Sequence, residues 1–518
     1  MSVVKTSDKK STDLDDVLKK FKICSRYYIE CMVLIFLAYM SNSMYSSNFV
    51  FVAEEVGYRC KDERFENNSC AALRNSSEVC TEWVYDNPYS FVAEFQLACQ
   101  EWKRTLVGTV HSFGYMIGLL LVGPLSDRLG RKMVIVMTGV LGGVLGVARS
   151  FTSYYWVYIL LEFLEAAVGD SCSPMFMLTI EMVPSDKRLL FQMLCSYGYT
   201  LGSLTLPLMA WLVPYWRNLL RVIFTPAVFF LFYIFLLDES PRWLLSKGKK
   251  DEAIAILEKA AKKNKVKLDR NALDNLSYEE NKGVNFIQLL KDTFTSPALL
   301  KRFFICLSWW TTSTFVNYGM TINSVSLQGN KYINFALITV VDIPGNLIIT
   351  YLLIRFKRKV PLIFSFVFAA ILCLSQPFVP SNLPWLSILL FMIGKLMSSS
   401  YFAITYIFTS ELFPTYTRNS MHALCSSLGR VGSIIAPQTP LLMAYWHGLP
   451  SLVFGLASLL AGMATLFAPD TADDALPDNV TQAEALGKHN SCKKEISSPT
   501  LSKRKEHVIT NEKNNSRL

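Results

Sequence analysis

Charge is scarce in this chain. Of its 518 residues only 18% are Asp, Glu, Lys or Arg while 51% are hydrophobic, where a soluble domain would carry about a quarter charged residues. A sequence so poor in charge cannot clothe a water-soluble globule. Histidine is scarcer still: His111, His422, His447, His489 and His507 are scattered, with no metal-ligand spacing, phosphate loop or nucleophile motif, which argues against an enzyme and against a nucleotide-driven machine. No filter or pore-loop signal points to a channel. Residues 469–518 lack aromatic side chains, are polar and become basic past Lys488; they cannot support a core and are expected to be disordered and cytoplasmic. No cleavable signal is expected either, because the first apolar run starts late and follows a charged leader.

The charges that exist are segregated. Net charge is +10, yet Lys and Arg concentrate in the amino terminus, in 242–302 and in the tail, flanking apolar runs, which is the positive-inside pattern rather than a nucleic-acid footprint. The runs are of membrane-spanning length. The first lies near 28–52, and those near 105–123, 133–150, 154–180, 190–211 and 216–237 follow. A second set lies near 302–322, 333–354, 360–379, 384–408, 420–443 and 449–468. Between the second and third runs, Gly123-Pro124-Leu125-Ser126-Asp127-Arg128-Leu129-Gly130-Arg131-Lys132 is a charged knot expected to reverse the chain within six or seven residues at a membrane surface.

The two sets repeat one another. Glu181 to Arg188 and Glu411 to Arg418 both read E-x-x-P-[ST]-x-x-R, and 411 minus 181 is 230. The basic cluster Arg355-Phe356-Lys357-Arg358-Lys359 falls at nearly that offset from the 127–132 turn. A duplicated six-span unit is a sequence sign of a transporter whose halves rock about a central site. The expected organisation is a cytoplasmic amino terminus (1–27), a six-helix bundle (28–237) with a large extracellular loop (53–103), a cytoplasmic linker with short helices (238–300), a second six-helix bundle (301–468) and the tail (469–518). The loop holds Cys60, Cys70, Cys80 and Cys99, whose three possible pairings sequence does not separate, and the glycosylation acceptors Asn67 and Asn75.

The D-R-x-G-R-K turn, the two E-x-x-P-[ST]-x-x-R turns and Glu239-Ser240-Pro241-Arg242-Trp243-Leu244 together resemble the major facilitator superfamily. The Cys-bearing loop ending in Ala93-Glu94-Phe95-Gln96-Leu97-Ala98-Cys99 narrows the resemblance to its organic cation, anion and zwitterion transporter family, over roughly residues 20–470. The resemblance implies an all-α membrane protein with twelve transmembrane helices in two pseudo-symmetric bundles, placed in the plasma membrane with both termini cytoplasmic. It implies a small organic ion as substrate, the lipid bilayer as surroundings and no cofactor, with sodium or a counter-ion as an open coupling partner. A transporter-like receptor that binds without moving solute is the rival.

Polar stripes at helical spacing nominate the binding residues. The seventh run offers Trp310, Thr314, Asn317 and Thr321 with Tyr318 adjacent; the eighth offers Thr339, Asp342, Asn346 and Thr350; the eleventh offers Ser426, Arg430, Ser433 and Pro437. Their convergence predicts a charged pair, Arg430 with Asp342, in an aromatic cage to which Tyr39, Tyr197, Trp309 and Tyr401 could add. The fourth run holds Glu162, Glu165 and Asp170, which must face protein or water; Arg149, Arg217 and Arg221 are candidate partners, and family members usually carry arginine where Glu162 stands. An intramembrane guanidinium suits a carboxylate or sulfate. In the family the Arg430 position is acidic in cation carriers and arginine in anion and carnitine-like carriers, so Arg430 favours anions or zwitterions, with an organic cation held by Asp342 and aromatic rings as the alternative. For gating, Asp127, Arg128, Gly130 and Arg131 with Glu181, Arg188, Glu239 and Arg242 are expected to latch the outward-facing state, and Glu411 with Arg418 to do the same more weakly in the second half.

Overall fold

A chain crossing hydrocarbon must satisfy its backbone hydrogen bonds internally, which leaves the helix as the unit of construction here. The computed structural model describes residues 14–22, 25–62, 70, 80–169, 172–184, 187–268, 270, 273, 276, 295–356, 358–380, 382–413 and 418–469. Among the described residues there are twelve spans. In the first half they are Arg26–Val52, Glu101–Leu129, Arg131–Arg149, the pair Tyr155–Val168 and Cys172–Met182, Arg188–Leu212, and Trp216–Leu236. In the second half they are Pro297–Asn323, the pair Lys331–Val340 and Asp342–Arg355, Lys359–Phe378, Pro384–Leu412, the broken run Arg418–Gly429, Val431–Ile435 and Ala436–Ala444, and Leu449–Leu466. They are called spans one to twelve below. Large apolar side chains such as Phe235 (79% exposed) and Phe378 (75%) face outward, which only a lipid surround makes favourable.

The charged knot is tighter than the sequence suggests. Span two continues as helix through Pro124 to Leu129, and Gly130 alone, at φ 98°, turns the chain into span three. Only glycine suits that position, because the φ is left-handed and a Cβ would sit 2.3 Å from Glu239 Oε2. Close packing elsewhere also rests on missing Cβ atoms: at Gly202, in span five, a Cβ would lie 2.2 Å from the Met40 carbonyl oxygen of span one. Ser43 and Ser203 hydrogen-bond across the same contact at 2.5 Å, the small-residue packing that membrane helices use.

At one end of the molecule, here the loop end, Tyr58–Cys60 pairs antiparallel with Trp83–Tyr85, and the disulfides are Cys60–Cys80 and Cys70–Cys99. The structure thus selects one of three pairings. The opposite end, carrying Gly130, is the turn end. There an amino-terminal helical turn, Leu14–Leu18, is tied by Asp15 to Arg242, and Tyr27 N–H donates to Asn264 Oδ1 on the linker helix Lys250–Asn264. Asn67, Asn75 and the tail beyond 469 lie outside the described residues.

Candidate functional site

The hydrogen bonds and ion pairs between the bundles are concentrated toward the loop end. Thr105 of span two donates to Gln438 Oε1 of span eleven (2.9 Å), and Gln438 Nε2 donates to Thr109 (2.6 Å). Lys331 pairs with Glu54, and Phe51 packs on Tyr332 and Phe335 with ring centroids 5.7 and 5.1 Å apart. A cavity of about 580 Å³ opens beside this contact, lined by residues including Phe49, Glu54, Arg104, Lys331 and Pro437. Deeper in, Asn346 Nδ2 of span eight donates to Ser196 of span five (3.2 Å). Nearer the turn end, no hydrogen bond or ion pair joins the two halves among the described residues.

Arg430 sits at this seam. Span eleven is interrupted there: Arg430 N–H bonds the Ser427 carbonyl three residues back, and a new helical segment starts at Val431. The guanidinium donates from Nη1 to the Tyr318 hydroxyl (3.0 Å) and lies 5.1 Å from the centre of the Tyr115 ring, which belongs to the other bundle. Its Nε is buried without a hydrogen-bond partner. Among the described residues no carboxylate pairs with it, so the expected Arg430–Asp342 pair does not form. Span seven packs between span eleven and span ten, and span ten separates it from most of span eight, so the two charges are held on different helix contacts.

Asp342 instead belongs to a network the polar stripes missed. Ser399 of span ten donates to Asp342 Oδ1 (2.6 Å), Asn317 Nδ2 donates to Ser399 (3.1 Å), and Lys395 Nζ donates to Asn317 Oδ1 (2.7 Å), the Asn317 carbonyl (3.1 Å) and Thr321 (2.9 Å). Lys395 is only 3% exposed. Its signal was in plain view, a lone lysine inside the apolar run Pro384–Leu412, and by the rule that intramembrane cations need a named partner it should have been nominated. The aromatic cage is smaller than expected. Trp310 and Trp309 are wholly buried and donate to Thr409 (3.1 Å) and Thr465 (2.8 Å), and Tyr401 stacks on Phe366, so these three are packing residues of the second bundle. Thr314 likewise is tied to the Gly429 carbonyl. Ser426 and Tyr197 are half-buried in their helices, and Asp170 and the Thr350 side chain lie outside the described residues.

Glu162 and Glu165 of span four are engaged inside the first bundle. Glu162 pairs with Arg149 and, at 2.9 Å, with His111 Nδ1; Glu165 lies 3.7 Å from Arg149 Nη1; and Arg149 Nη2 donates to Asn48 of span one. Of the three proposed partners, Arg149 is the one engaged. Arg217 binds Glu94 (2.7 Å), and Arg221 donates to Ser150.

At the turn end the two halves build the same device. Arg131 pairs with Glu181 (2.8 Å) and donates to the Ser126 carbonyl five residues back; Arg358 pairs with Glu411 (3.0 Å) and donates to the Leu353 carbonyl, also five back. Asp127 joins Arg131 at 2.9 Å, Glu239 accepts the backbone N–H groups of Arg131 and Lys132, Trp243 donates to the Asp127 carbonyl, and Arg242 donates to the Glu181 carbonyl. Burial raises the Glu239 carboxyl above the ordinary carboxylate range, against the pull of those N–H groups. Arg128 is exposed and Arg188 half-buried. Each of these pairs lies within one half. Glu411 pairs with Arg358, and the Arg418 side chain lies outside the described residues.

The family model for the major facilitator superfamily matches residues 31–437 and 303–501. Solute carrier family 22 member 1 of Bos taurus is 34% identical over 408 residues, covering 78% of this chain and 72% of its own. The organic cation transporter protein of Drosophila melanogaster is 32% identical over 445 residues, covering 82% and 80%. The partially occluded inward-open xylose transporter XylE of E. coli superposes with a TM-score of 0.62 at 18% identity, over 87% of this chain and all of that one, which establishes the shared fold. The protein is a multi-pass transmembrane transporter and not an enzyme, and its chain belongs to the major facilitator superfamily, within solute carrier family 22.

Proposed function

We propose that the protein carries small organic cations across the plasma membrane by alternating access, as facilitated diffusion or exchange. The observation that carries this reading is the place of Asp342: a half-buried carboxylate one helical turn from Asn346, which reaches across to the other bundle. The curated relatives include proteins named for organic cations, so the preference for anions drawn from Arg430 alone gives way. With the disulfide-bonded loop taken as outside and the Gly130 turn and both termini as inside, the contacts between the halves at the loop end support an inward-facing reading, in which the turn-end network would engage the second half only when the bundles close there.

One observation favours a second reading. Arg430 faces Tyr115 and Tyr318 with no carboxylate partner among the described residues, so a zwitterion could place its ammonium near Asp342 and its carboxylate at Arg430. Uptake of tetraethylammonium, an aromatic carboxylate and a betaine by expressing cells tests both. Cation uptake that disappears in Asp342→Asn at unchanged surface level is the expected result. Uptake of the carboxylate alone, or indifference to Asp342→Asn, would refute the cation reading.

A further inference from the structure

We propose that His111, Glu162 and Glu165 form a proton-binding site whose occupancy controls closure of the bundles at the loop end. The inference goes beyond the choice of substrate and needs only that the chain is a carrier. It starts from charge balance. The cluster is enclosed, with Arg149 and Glu162 at 0% exposure, Glu165 at 2% and His111 at 5%. Its fixed cation is Arg149, on span three; its two carboxylates are on span four. The other titratable groups facing it are Tyr158 of span four and Tyr45 of span one. Two carboxylates against one guanidinium leave a negative charge buried, which is costly unless a proton neutralises it.

The geometry says where that proton sits. Glu162 is satisfied on both oxygens, by Arg149 and by His111 Nδ1. Glu165 Oε2 is buried with no hydrogen-bond partner, and lies 3.9 Å from His111 Nδ1 and 3.7 Å from Arg149 Nη1. A carboxylate oxygen left without a donor is the one best held as the neutral acid. The ligand atoms of His111, Glu162 and Glu165 lie within 4.8 Å of one another, close enough for a metal ion, but the Arg149 guanidinium already supplies the cation that binds both carboxylates.

The site is linked to the gate through span two. His111 lies on the same helix as Thr105, Gly108 and Thr109, which meet span eleven, and as Tyr115, which lies under Arg430. The Phe49 ring covers His111 at 5.4 Å and also lines the loop-end cavity. A Cβ at Gly108 would meet both Phe49 (2.7 Å) and Pro437 of span eleven (2.9 Å), so Phe49 is packed at the point where the bundles touch. Parting the bundles withdraws Pro437 and frees Phe49, opening the cluster to vestibule water. Closing them again with Glu165 ionised would bury the unbalanced charge, so Glu165 takes a proton from that water before closure. Acid on the loop side therefore speeds transport from that side.

Glu165→Gln mimics the protonated cluster. Uptake of tetraethylammonium by the full-length protein should fall as external pH rises from about 5.5 to 8, by up to about tenfold per pH unit, the limit for one proton. Glu165→Gln should hold the acid rate throughout, and Glu165→Asp should restore the pH dependence. A second readout needs no substrate: the pH dependence of the thermal unfolding midpoint of the purified protein in detergent should be flatter in Glu165→Gln than in wild type. A Glu165→Gln variant with the wild-type pH profile in both measurements overturns the proposal. So does a midpoint shift with zinc chloride that Glu165→Gln abolishes, which would make the cluster a metal site. Absent tetraethylammonium uptake alongside a flattened midpoint profile would sink the cation reading and leave the proton site standing.

Discussion

Lys395→Gln isolates the electrostatic part of the Asp342 network. Lysine and glutamine both place a donor near Asn317 and Thr321, but only lysine brings a charge. The bonds from Lys395 through Asn317 and Ser399 to Asp342 measure 2.7, 3.1 and 2.6 Å; with the ~2.3 Å across the Asn317 amide they keep the two charges within ~11 Å of one another, where at an effective dielectric of ~20 their attraction is at least about 1.5 kcal/mol. Asp342 is half-buried, so solvent screens part of this. If a substrate cation competes with Lys395 for the field of Asp342, the KM for tetraethylammonium should fall between about fivefold and 30-fold in Lys395→Gln, and Lys395→Arg should stay near wild type. The assay is initial-rate uptake normalised to surface protein. An unchanged or raised KM in Lys395→Gln, at normal surface level, would show that Lys395 only holds spans seven and ten together and leaves Asp342 untuned.

Two further outcomes follow from the packing and the turn end. Burial raises the Glu239 carboxyl in the folded protein, so its protonated form is the one folding favours: that contribution is fully present below the unfolded carboxylate pKa of about 4.3 and is lost as pH rises through the folded value. Glu239→Gln should therefore match or exceed wild-type thermal stability at neutral pH and lose any advantage toward pH ~4, and a variant destabilised most at neutral pH would contradict this. Gly202→Ala puts a Cβ 2.2 Å from the Met40 carbonyl oxygen, whereas a Cβ at Gly123 meets nothing within 4 Å; overpacking of this kind costs about 1–3 kcal/mol. Surface biotinylation should show Gly202→Ala depleted and Gly123→Ala normal, and equal levels would refute the packing argument.

The spans were legible because hydrophobic length is a local property, and the duplication because motif spacing is. The missed features are local only in part. Lys395 was visible as a lone cation in an apolar run, yet its role depends on Asn317 of span seven meeting it and on Asp342 of span eight meeting Ser399, one turn on from Lys395 along the same helix. His111 looked like one of five scattered histidines until span two brought it to Glu162. Helical periodicity placed Trp310 and Thr314 on one face with Asn317, but could not say that this part of the face packs against spans ten and eleven instead of lining the seam. The single-residue turn at Gly130 was hidden because the charged stretch 123–132 reads as one loop, whereas span two runs on as helix through Pro124 to Leu129.

The order of residues alone determined that this chain lives in a membrane, that its two halves are copies, and that charged turns punctuate them, because each follows from composition and periodicity along a single stretch. Tertiary structure decided the rest: which cysteines pair, which acids are neutralised inside a bundle, and that Arg430 and Asp342 stand apart. Those outcomes turn on how helices remote in sequence rotate and pack against one another, and the energy of a buried charge depends on the neighbours that packing supplies.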